Sequence, residues 1–166
     1  LYLSGKSSRL DIANPYCFNL SFSPDGKQLA ALVPAANDKI FIYDFERQIM
    51  TRLTNTPGND AVPIWSPDGS QIVYENDRDG SADLYVIPAD GSAAARRILA
   101  SPLDEFPEVW SPDGTRIVFT RITANGKVEI CIMPIEGSED PLVLFPSDQS
   151  NWMPKISPDG AWIAYV

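Results

Sequence analysis

The sequence predicts an all-β protein, a β-propeller built of four-stranded antiparallel blades, with about four blades in the chain. Three observations predict this fold: one tetrapeptide recurs four times at nearly constant spacing, short β-prone runs follow each copy, and a second turn signal follows most of these runs. The chain has 166 residues, of which 44% are hydrophobic, and this is enough to bury a core.

The repeated tetrapeptide is Ser-Pro-Asp-Gly, which begins at Ser23, Ser66, Ser111 and Ser157, at intervals of 43, 45 and 46 residues. This period is that of a four-stranded propeller blade and is too long for leucine-rich or ankyrin repeats. In each copy the proline presets the first corner of a turn, the aspartate binds nearby amides, and the glycine adopts the positive φ that ends the turn. The predicted turn residues are Pro24, Asp25, Gly26, Pro67, Asp68, Gly69, Pro112, Asp113, Gly114, Pro158, Asp159 and Gly160.

Four strands are predicted in each period. An inner strand ends just before the tetrapeptide, and a second strand follows it. A second hairpin turn stands at 37–38, 79–80 and 125–126, as Asn-Asp, Asp-Gly and Asn-Gly. Third strands are predicted at 40–43, 84–87 and 128–133, and fourth strands at 50–53, 97–99 and 142–145. The strands are apolar on both faces, which is typical of sheets stacked between two neighbours.

The whole chain, 1–166, is predicted to be one β-propeller domain or propeller segment. The predicted units are a partial blade at 1–12, blades at about 16–54, 60–100 and 105–146, and a partial blade at 151–166. The first partial blade, with Leu1–Leu3 and Arg9–Ile12 as its third and fourth strands, complements the last one, which supplies the first two strands. One alternative is that a single chain closes as a four-bladed ring, but we favour a homodimer that exchanges ends, or flanking blades, to complete a larger ring.

Composition disfavours several classes of function. The 13 basic and 22 acidic residues give a formal charge of -9, which repels nucleic acids and anionic membrane surfaces. The chain has no histidine, which is the usual general base near neutral pH and a common metal ligand. Cys17 and Cys131 fall in different blades and are predicted to be free thiols, and no apolar run is long enough to insert in a membrane.

The string Asp77, Asp79, Gly80 and Asp83 resembles part of a calcium-binding loop. It coincides with the second hairpin turn of its blade, and Pro88 stands where such a loop would need its last, bidentate glutamate. The string is therefore interpreted as a turn, and no metal and no cofactor are predicted.

Asp104 and Glu105 are neighbouring carboxylates, but adjacent residues seldom flank a scissile bond as a glycosidase requires. Both are predicted on the loop from an outer strand to the next inner strand, where a solvated loop is one interpretation. The other is a recognition surface around one mouth of the propeller channel, because loops on rigid scaffolds carry binding residues. The candidate binding residues are Asp60, Glu105, Phe106, Asn151 and Trp152.

No catalytic residue is predicted. The hairpin serines, such as Ser66 and Ser111, have no histidine partner and no G-x-S-x-G context, so they are interpreted as turn residues. Trp65 and Trp110 occupy a repeated apolar position before the turn and are interpreted as packing residues between blades.

Residues 63–69, Pro-Ile-Trp-Ser-Pro-Asp-Gly, with Gln-Ile-Val-Tyr at 71–74 and Asp-Leu-Tyr-Val at 83–86, resemble the TolB-like, WD-repeat-like β-propeller repeat. The first repeat departs from it with Asn-Leu-Ser-Phe at 19–22, and the third has Pro107 one place early. The resemblance implies a bacterial, non-catalytic scaffold, periplasmic or otherwise extracytoplasmic, that binds a protein or peptide. Alternatives that it leaves open are the gating propeller of a prolyl-oligopeptidase-type serine peptidase and the sensor domain of a bacterial regulatory protein.

Overall fold

A computed structural model of the chain describes residues 16–137, 139–145 and 150–166, and these residues form fourteen β-strands. The strands of the first two sheets are β1 (Phe18–Phe22), β2 (Gln28–Val33), β3 (Lys39–Asp44), β4 (Ile49–Arg52), β5 (Asp60–Trp65), β6 (Gln71–Asn76), β7 (Asp83–Pro88) and β8 (Arg96–Arg97). The remaining strands are β9 (Asp104–Trp110), β10 (Arg116–Ile122), β11 (Val128–Pro134), β12 (Leu142–Val143), β13 (Lys155–Ile156) and β14 (Ile163–Ala164).

Consecutive strands pair antiparallel into three four-stranded sheets, β1 to β4, β5 to β8 and β9 to β12, and a two-stranded sheet of β13 and β14. The first strand of each sheet contacts the first strand of the next one: β1 lies against β5, β5 against β9, and β9 against β13. The sheets are therefore stacked as successive blades with their first strands innermost, and the predicted propeller fold is confirmed. The strands proposed at Leu1–Leu3 and Arg9–Ile12 lie outside the described residues.

The core lies between the blades. One cluster of buried side chains joins the first and second sheets and includes Ile40, Tyr85 and Trp65, and another joins the second and third and includes Val73, Phe119 and Trp110. The second sheet packs against a neighbour on each of its faces, and its strands are apolar on both faces.

The two tryptophans fix the contact between neighbouring inner strands. Trp65 Nε1 donates a hydrogen bond to the carbonyl of Ser21 at 3.0 Å, and Trp110 Nε1 donates to the carbonyl of Ile64 at 3.3 Å. Both rings are buried in the clusters between blades, which agrees with their predicted packing role. One indole group thus anchors β5 to β1 and another anchors β9 to β5, while Ile156 stands at the equivalent position in the last blade.

The Ser-Pro-Asp-Gly turns form the same hydrogen bonds in all four blades. In the second blade Ser66 Oγ donates to Asp68 Oδ1 at 2.6 Å and accepts from the amide of Gln71 at 2.9 Å, while Asp68 Oδ1 accepts from the amide of Ser70 at 3.0 Å. Gly69 closes this turn with φ of 73°. These bonds lower the pKa of the Asp68 carboxyl to about 2, so the turn is held by an ionised aspartate near neutral pH.

The inner strands β1, β5 and β9 each contain a β-bulge. The bulge lies at the positions three and four residues before the serine of the following turn. Asn19, Val62 and Met153 occupy the same repeat position in three blades, and all three adopt positive φ, between 49° and 53°. In the third blade this position is Pro107, whose ring fixes φ near −65°, so the extra residue there is Glu108. The third repeat therefore accommodates its early proline because the bulge lies one residue later, at Glu108.

No helix occurs among the described residues, and so none there could cross a bilayer.

The bulge generates a stability prediction for Val62. A β-branched residue in the left-handed region costs about 1–2 kcal/mol, whereas asparagine tolerates that region better. We expect Val62→Asn to raise the free energy of unfolding by about 1 kcal/mol, and the reverse exchange, Asn19→Val, to lower it by a similar amount. Urea denaturation of both variants measures the effect. A loss of stability in Val62→Asn with no change in Asn19→Val would contradict it.

Candidate binding surface where the inner strands begin

The inner strands begin at the end of the blades where the second hairpin turns also lie. We call this end the mouth; it comprises residues 59–61, 104–106 and 150–152 and the turns at 34–38, 77–82 and 123–127. Four of the five predicted binding residues, Asp60, Glu105, Phe106 and Asn151, have buried or half-buried side chains there, and only Trp152 is well exposed.

Asp60 is buried and forms a network between the first and second blades. Its Oδ2 lies 2.9 Å from Lys39 Nζ, and its Oδ1 accepts hydrogen bonds from Thr56 Oγ1 at 2.9 Å and Asn76 Nδ2 at 2.7 Å. Lys39 Nζ also donates to the carbonyl of Gly58, and both members of the ion pair are buried. Because both charges are desolvated, each is needed to neutralise the other.

Glu105 occupies the same repeat position in the third blade and is also buried. It accepts a hydrogen bond from Ser101 Oγ at 2.5 Å, as Asp60 does from Thr56. In the second blade, however, the residue that faces Glu105 is Asp83. Asp83 is the first residue of β7, as Lys39 is of β3, so a carboxylate stands where the first blade has a cation. Burial raises the pKa of the Glu105 carboxyl to about 7 against the opposing effect of the Ser101 hydrogen bond, and the negative charge of Asp83 adds to the increase.

The expected position of these carboxylates on an exposed loop was wrong. Asp60, Asp104 and Glu105 lie within the inner strands β5 and β9, because the bulge residue lengthens each inner strand toward the mouth. Asp60 and Glu105 stand six residues before the turn serine, as Asn151 does in the last blade. This constant spacing is the signal in the sequence that could have revealed a repeated structural position.

Asn151 is buried and joins the third blade to the last one. Its amide donates to the carbonyl of Val128 at 3.0 Å and its Nδ2 donates to the carbonyl of Phe145 at 3.3 Å. Equivalent amide bonds run from Asp60 to Asp38 at 2.9 Å and from Glu105 to Ala82 at 2.8 Å. The predicted site residues Asp60, Glu105 and Asn151 therefore hold neighbouring blades together.

The residue just before each of these positions also crosses the seam between two blades. Asn59 Oδ1 accepts from the amide of Asp38 at 3.0 Å, Asp104 Oδ1 accepts from the amide of Ala82 at 2.9 Å, and Ser150 Oγ accepts from the amide of Val128 at 3.2 Å. A side-chain acceptor thus covers a backbone donor at every described seam.

The residue after each buried polar position forms a row of side chains with a different character. This row consists of Phe18, Ala61, Phe106 and Trp152. Phe18 is 56% exposed and Trp152 is 47% exposed, while Ala61 and Phe106 are half-buried. Three of the four are aromatic, so the mouth row offers apolar contact area beside the polar seams.

The aspartates of the calcium-like string are occupied by donors of the protein. Asp77 accepts from the amide and from Nδ2 of Asn59, both at 2.7 Å, and Arg97 binds Asp79 at 2.8 Å and Asp83 at 2.6 Å. Within the described ranges, no group of three potential ligands is arranged to hold a metal ion.

Glu75 is a feature of the mouth that sequence reasoning missed. Its carboxyl lies opposite Ala61 in the seam between the second and third blades, where burial and the neighbouring charges of Asp104 and Asp77 raise its pKa to about 8. Leu32 and Thr120 stand at the equivalent position, nine residues after the turn serine, so a comparison of the repeats could have singled it out.

Cys17 and Cys131 are not joined in a disulfide, as predicted. Cys131 is buried in the core between the second and third blades, and burial raises its pKa to about 11. The Cys131 thiol is therefore protonated near neutral pH, and it is unsuited to act as a nucleophile.

A family model described as the TolB beta propeller domain matches residues 4–166. A protein of Agrobacterium fabrum, described as uncharacterized protein Atu1656, is 31% identical and is matched over 98% of this chain and 59% of its own length. The Tol-Pal system protein TolB of Helicobacter pylori is 24% identical over 88% of this chain and 36% of its own length. The chain therefore spans about a third to three fifths of these relatives.

A solved structure titled as putative TolB from Agrobacterium tumefaciens superposes with a TM-score of 0.75 at 26% identity, over 93% of this chain and 60% of that one. The match in sequence and the match in structure thus extend over nearly the whole chain, from the first described blade to the last. Together with the recurrent turns and the stacked four-stranded sheets, they show that the chain belongs to the TolB β-propeller family.

Proposed function

We propose that the chain is a non-catalytic propeller scaffold that binds a protein or peptide partner at the mouth. One observation carries this proposal: at the mouth, a buried polar frame alternates with a row of partly exposed aromatic side chains. Asp60, Glu105 and Asn151 belong to the frame, and Phe106 and Trp152 belong to the row. Of the five residues predicted to bind, Phe106 and Trp152 are therefore the ones proposed to contact the partner.

Aromatic side chains at the rim of a rigid scaffold suit protein recognition. They supply large contact areas at a low cost in conformational entropy, and they are enriched among residues that dominate binding energies. The frame fixes the backbone under Phe106 and Trp152, since each is preceded in sequence by a residue that is hydrogen-bonded to the neighbouring blade. A partner would thus meet a preorganised surface.

The charges of the mouth favour a basic partner segment. The cations near the second blade are engaged within the protein: Lys39 pairs with Asp60, Arg97 pairs with Asp79 and Asp83, and Arg78 lies 4.1 Å over the ring of Tyr85. Asp77 and Asp104 are exposed and accept their hydrogen bonds from neutral donors. These two carboxylates leave an excess of negative charge, which attracts lysine and arginine side chains.

The turn serines support a scaffold rather than a hydrolase. Each serine hydroxyl donates to the aspartate two residues later, at 2.5 to 2.6 Å, and accepts from a backbone amide of its own turn. A nucleophilic serine instead needs a base that accepts its proton and can return it to a leaving group. Here the hydroxyl and the carboxylate serve the turn.

Membership of the TolB family supports a location in the periplasm or otherwise outside the cytoplasm, and a partner within a larger assembly. The Helicobacter relative is named as part of the Tol-Pal system, and that relation is the ground for this part of the proposal. The gating propeller of a serine peptidase and a sensor domain remain as predictions that a parent gene sequence would test, through a G-x-S-x-G motif or a kinase domain.

The proposed surface predicts a difference between two exposed tryptophans. A peptide array of basic, neutral and acidic sequences provides ligands, whose affinities are then measured by isothermal titration calorimetry. We expect basic peptides to bind best and Trp152→Ala to weaken their binding at least about tenfold, because Trp152 belongs to the mouth row. Trp162→Ala is the matched control: Trp162 is 76% exposed but lies beside the Ser-Pro-Asp-Gly turn, at the opposite end of its blade.

An equal loss in both variants, or a loss in Trp162→Ala alone, would place recognition elsewhere. Circular dichroism and urea midpoints confirm that both variants remain folded.

The absence of catalysis is a separate prediction. We expect the purified chain to show no turnover of ester, peptide or glycoside substrates above that of a preparation from cells lacking it. The matched variant is Ser111→Ala, which removes a turn hydroxyl. Activity that copurifies with the chain and is lost in this variant would contradict the proposal.

A further inference from the structure

The seam between the second and third blades contains two buried carboxyl groups that lack full hydrogen bonding. Glu105 Oε2 and Glu75 Oε2 are both buried and have no hydrogen-bond partner among the described residues. Buried carboxylates without partners are costly when ionised, because the surrounding protein replaces little of their hydration.

Other seams lack this combination. The Glu75 position is Leu32 in the first blade and Thr120 in the third. At the first seam the buried Asp60 meets Lys39, whereas at the second seam the buried Glu105 meets Asp83. Among the described blades, only the second has a carboxyl at the Glu75 position, and Asp83 stands where the first blade has the cation Lys39 and the third blade has Glu129.

The charged groups around these carboxyls come from several strands. Glu105 faces Asp83 of β7 and Arg121 of β10, with Asp104 beside it on β9 and the Cys131 thiol on β11. Of the nearest cations, Arg97 of β8 binds Asp83 at 2.6 Å. Arg121 lowers the pKa of Glu105 and lies 3.6 Å from Glu129, and its buried Nε has no hydrogen-bond partner among the described residues.

No cation is among the groups that shift the pKa of Glu75. Its carboxyl faces Asp104 of β9 and Asp77 of its own hairpin, and both raise its pKa. Asp104 also raises the pKa of Glu105, so its charge acts on both carboxyl groups.

Few hydrogen bonds hold this part of the seam closed. At the mouth, Ala82 donates its amide to Asp104 Oδ1 at 2.9 Å and accepts from the amide of Glu105 at 2.8 Å. Farther along, Trp110 Nε1 donates to the carbonyl of Ile64 at 3.3 Å. The two mouth bonds involve the residues that carry or adjoin the buried carboxyls, so repulsion between charges there acts directly on them.

We propose that the seam between the second and third blades is a pH-sensitive joint, closed while Glu75 and Glu105 are neutral and loosened when both are ionised. This inference does not depend on the proposed binding function, although the joint lies at the same mouth.

The direction of the effect follows from proton binding. The pKa is about 7 for Glu105 and about 8 for Glu75, both raised from 4.5, so the closed state binds more protons than the open one. The stabilisation is complete below pH 4.5 and is lost as pH rises to about 8. Each group changes the opening equilibrium by up to about tenfold per pH unit within its own range. The turn aspartates Asp68 and Asp113 have pKa values near 2, so they titrate outside this window.

A carboxyl titration tests the proposal without any variant. The protein is labelled with ¹³C at the glutamate carboxyl carbons, and NMR spectra are recorded from pH 4 to 9. We expect two glutamate resonances to titrate near pH 7 and 8, and single substitutions to glutamine assign them. Titration of both Glu75 and Glu105 near 4.5 overturns the proposal.

Hydrogen exchange then tests the opening itself. The amide of Glu105 crosses this joint, and the amide of Asp60 crosses the first seam, where Lys39 supplies the counter-charge. Between pH 6 and 9, after correction for intrinsic exchange, we expect protection of the Glu105 amide to fall at least about tenfold and that of Asp60 to stay within twofold. The Glu75→Gln/Glu105→Gln variant should abolish the difference.

Glu46→Gln, at an exposed carboxyl that pairs with Lys27, is the control and should behave as the unaltered chain does. An equal fall at both amides, no fall at Glu105, or a fall that persists in the double variant would each overturn the proposal. If the double variant does not fold, the two single variants and the carboxyl titration decide the question.

Discussion

Each sheet in this protein is apolar on both faces, and this constraint determines the rest of the structure. A blade cannot bury both faces alone, so it is stable only when a neighbour covers each of them. Trp65 and Trp110 show how the contact is made, since each ring packs between two blades while its indole nitrogen binds the backbone of the preceding inner strand. The same turn recurs in each blade because successive blades must have the same shape in order to stack.

At the mouth, the packing of blades brings polar groups together that need hydrogen-bond or charge partners within the protein. Inner strands begin at the mouth, where backbone donors of one blade lie next to the inner strand of the next blade. Side chains such as Asn59 and Asp104 accept hydrogen bonds from those donors, and the Lys39–Asp60 pair neutralises its own charges. Removing one member of such a pair leaves an uncompensated buried charge, which is much more destabilising than replacing both. Lys39 and Asp60 are therefore poor choices for contacting a partner, although their chemical types suggest it.

The sequence was sufficient for the fold because the turns have strict local requirements. A serine, a proline, an aspartate and a glycine at a period near 45 residues predict both hairpin geometry and blade size, and the tryptophan before the turn predicts packing. The burial of Asp60 and Glu105 was missed for a physical reason. A bulge and a proline interrupt both β5 and β9, which makes their first residues resemble a loop, yet an innermost strand is free on one edge and tolerates both features. The pairing of Lys39 with Asp60 could not be predicted from one blade, since it joins residues of two.

Repetition also helps to locate function. Residues that recur in every blade are explained by the structure that the blades share, as the turn aspartates are by the hydrogen bonds of the turn. Residues that break the pattern need another explanation, and Glu75 breaks it at the seam between the second and third blades. Leu32 and Thr120 show that the position of Glu75 does not require a carboxyl, and Lys39 shows that the position of Asp83 can carry the opposite charge. The buried carboxyls of Glu75 and Glu105 lie at the seam between the second and third blades, without the cation that Lys39 supplies at the first seam, and they are the basis for the proposed joint that responds to protons.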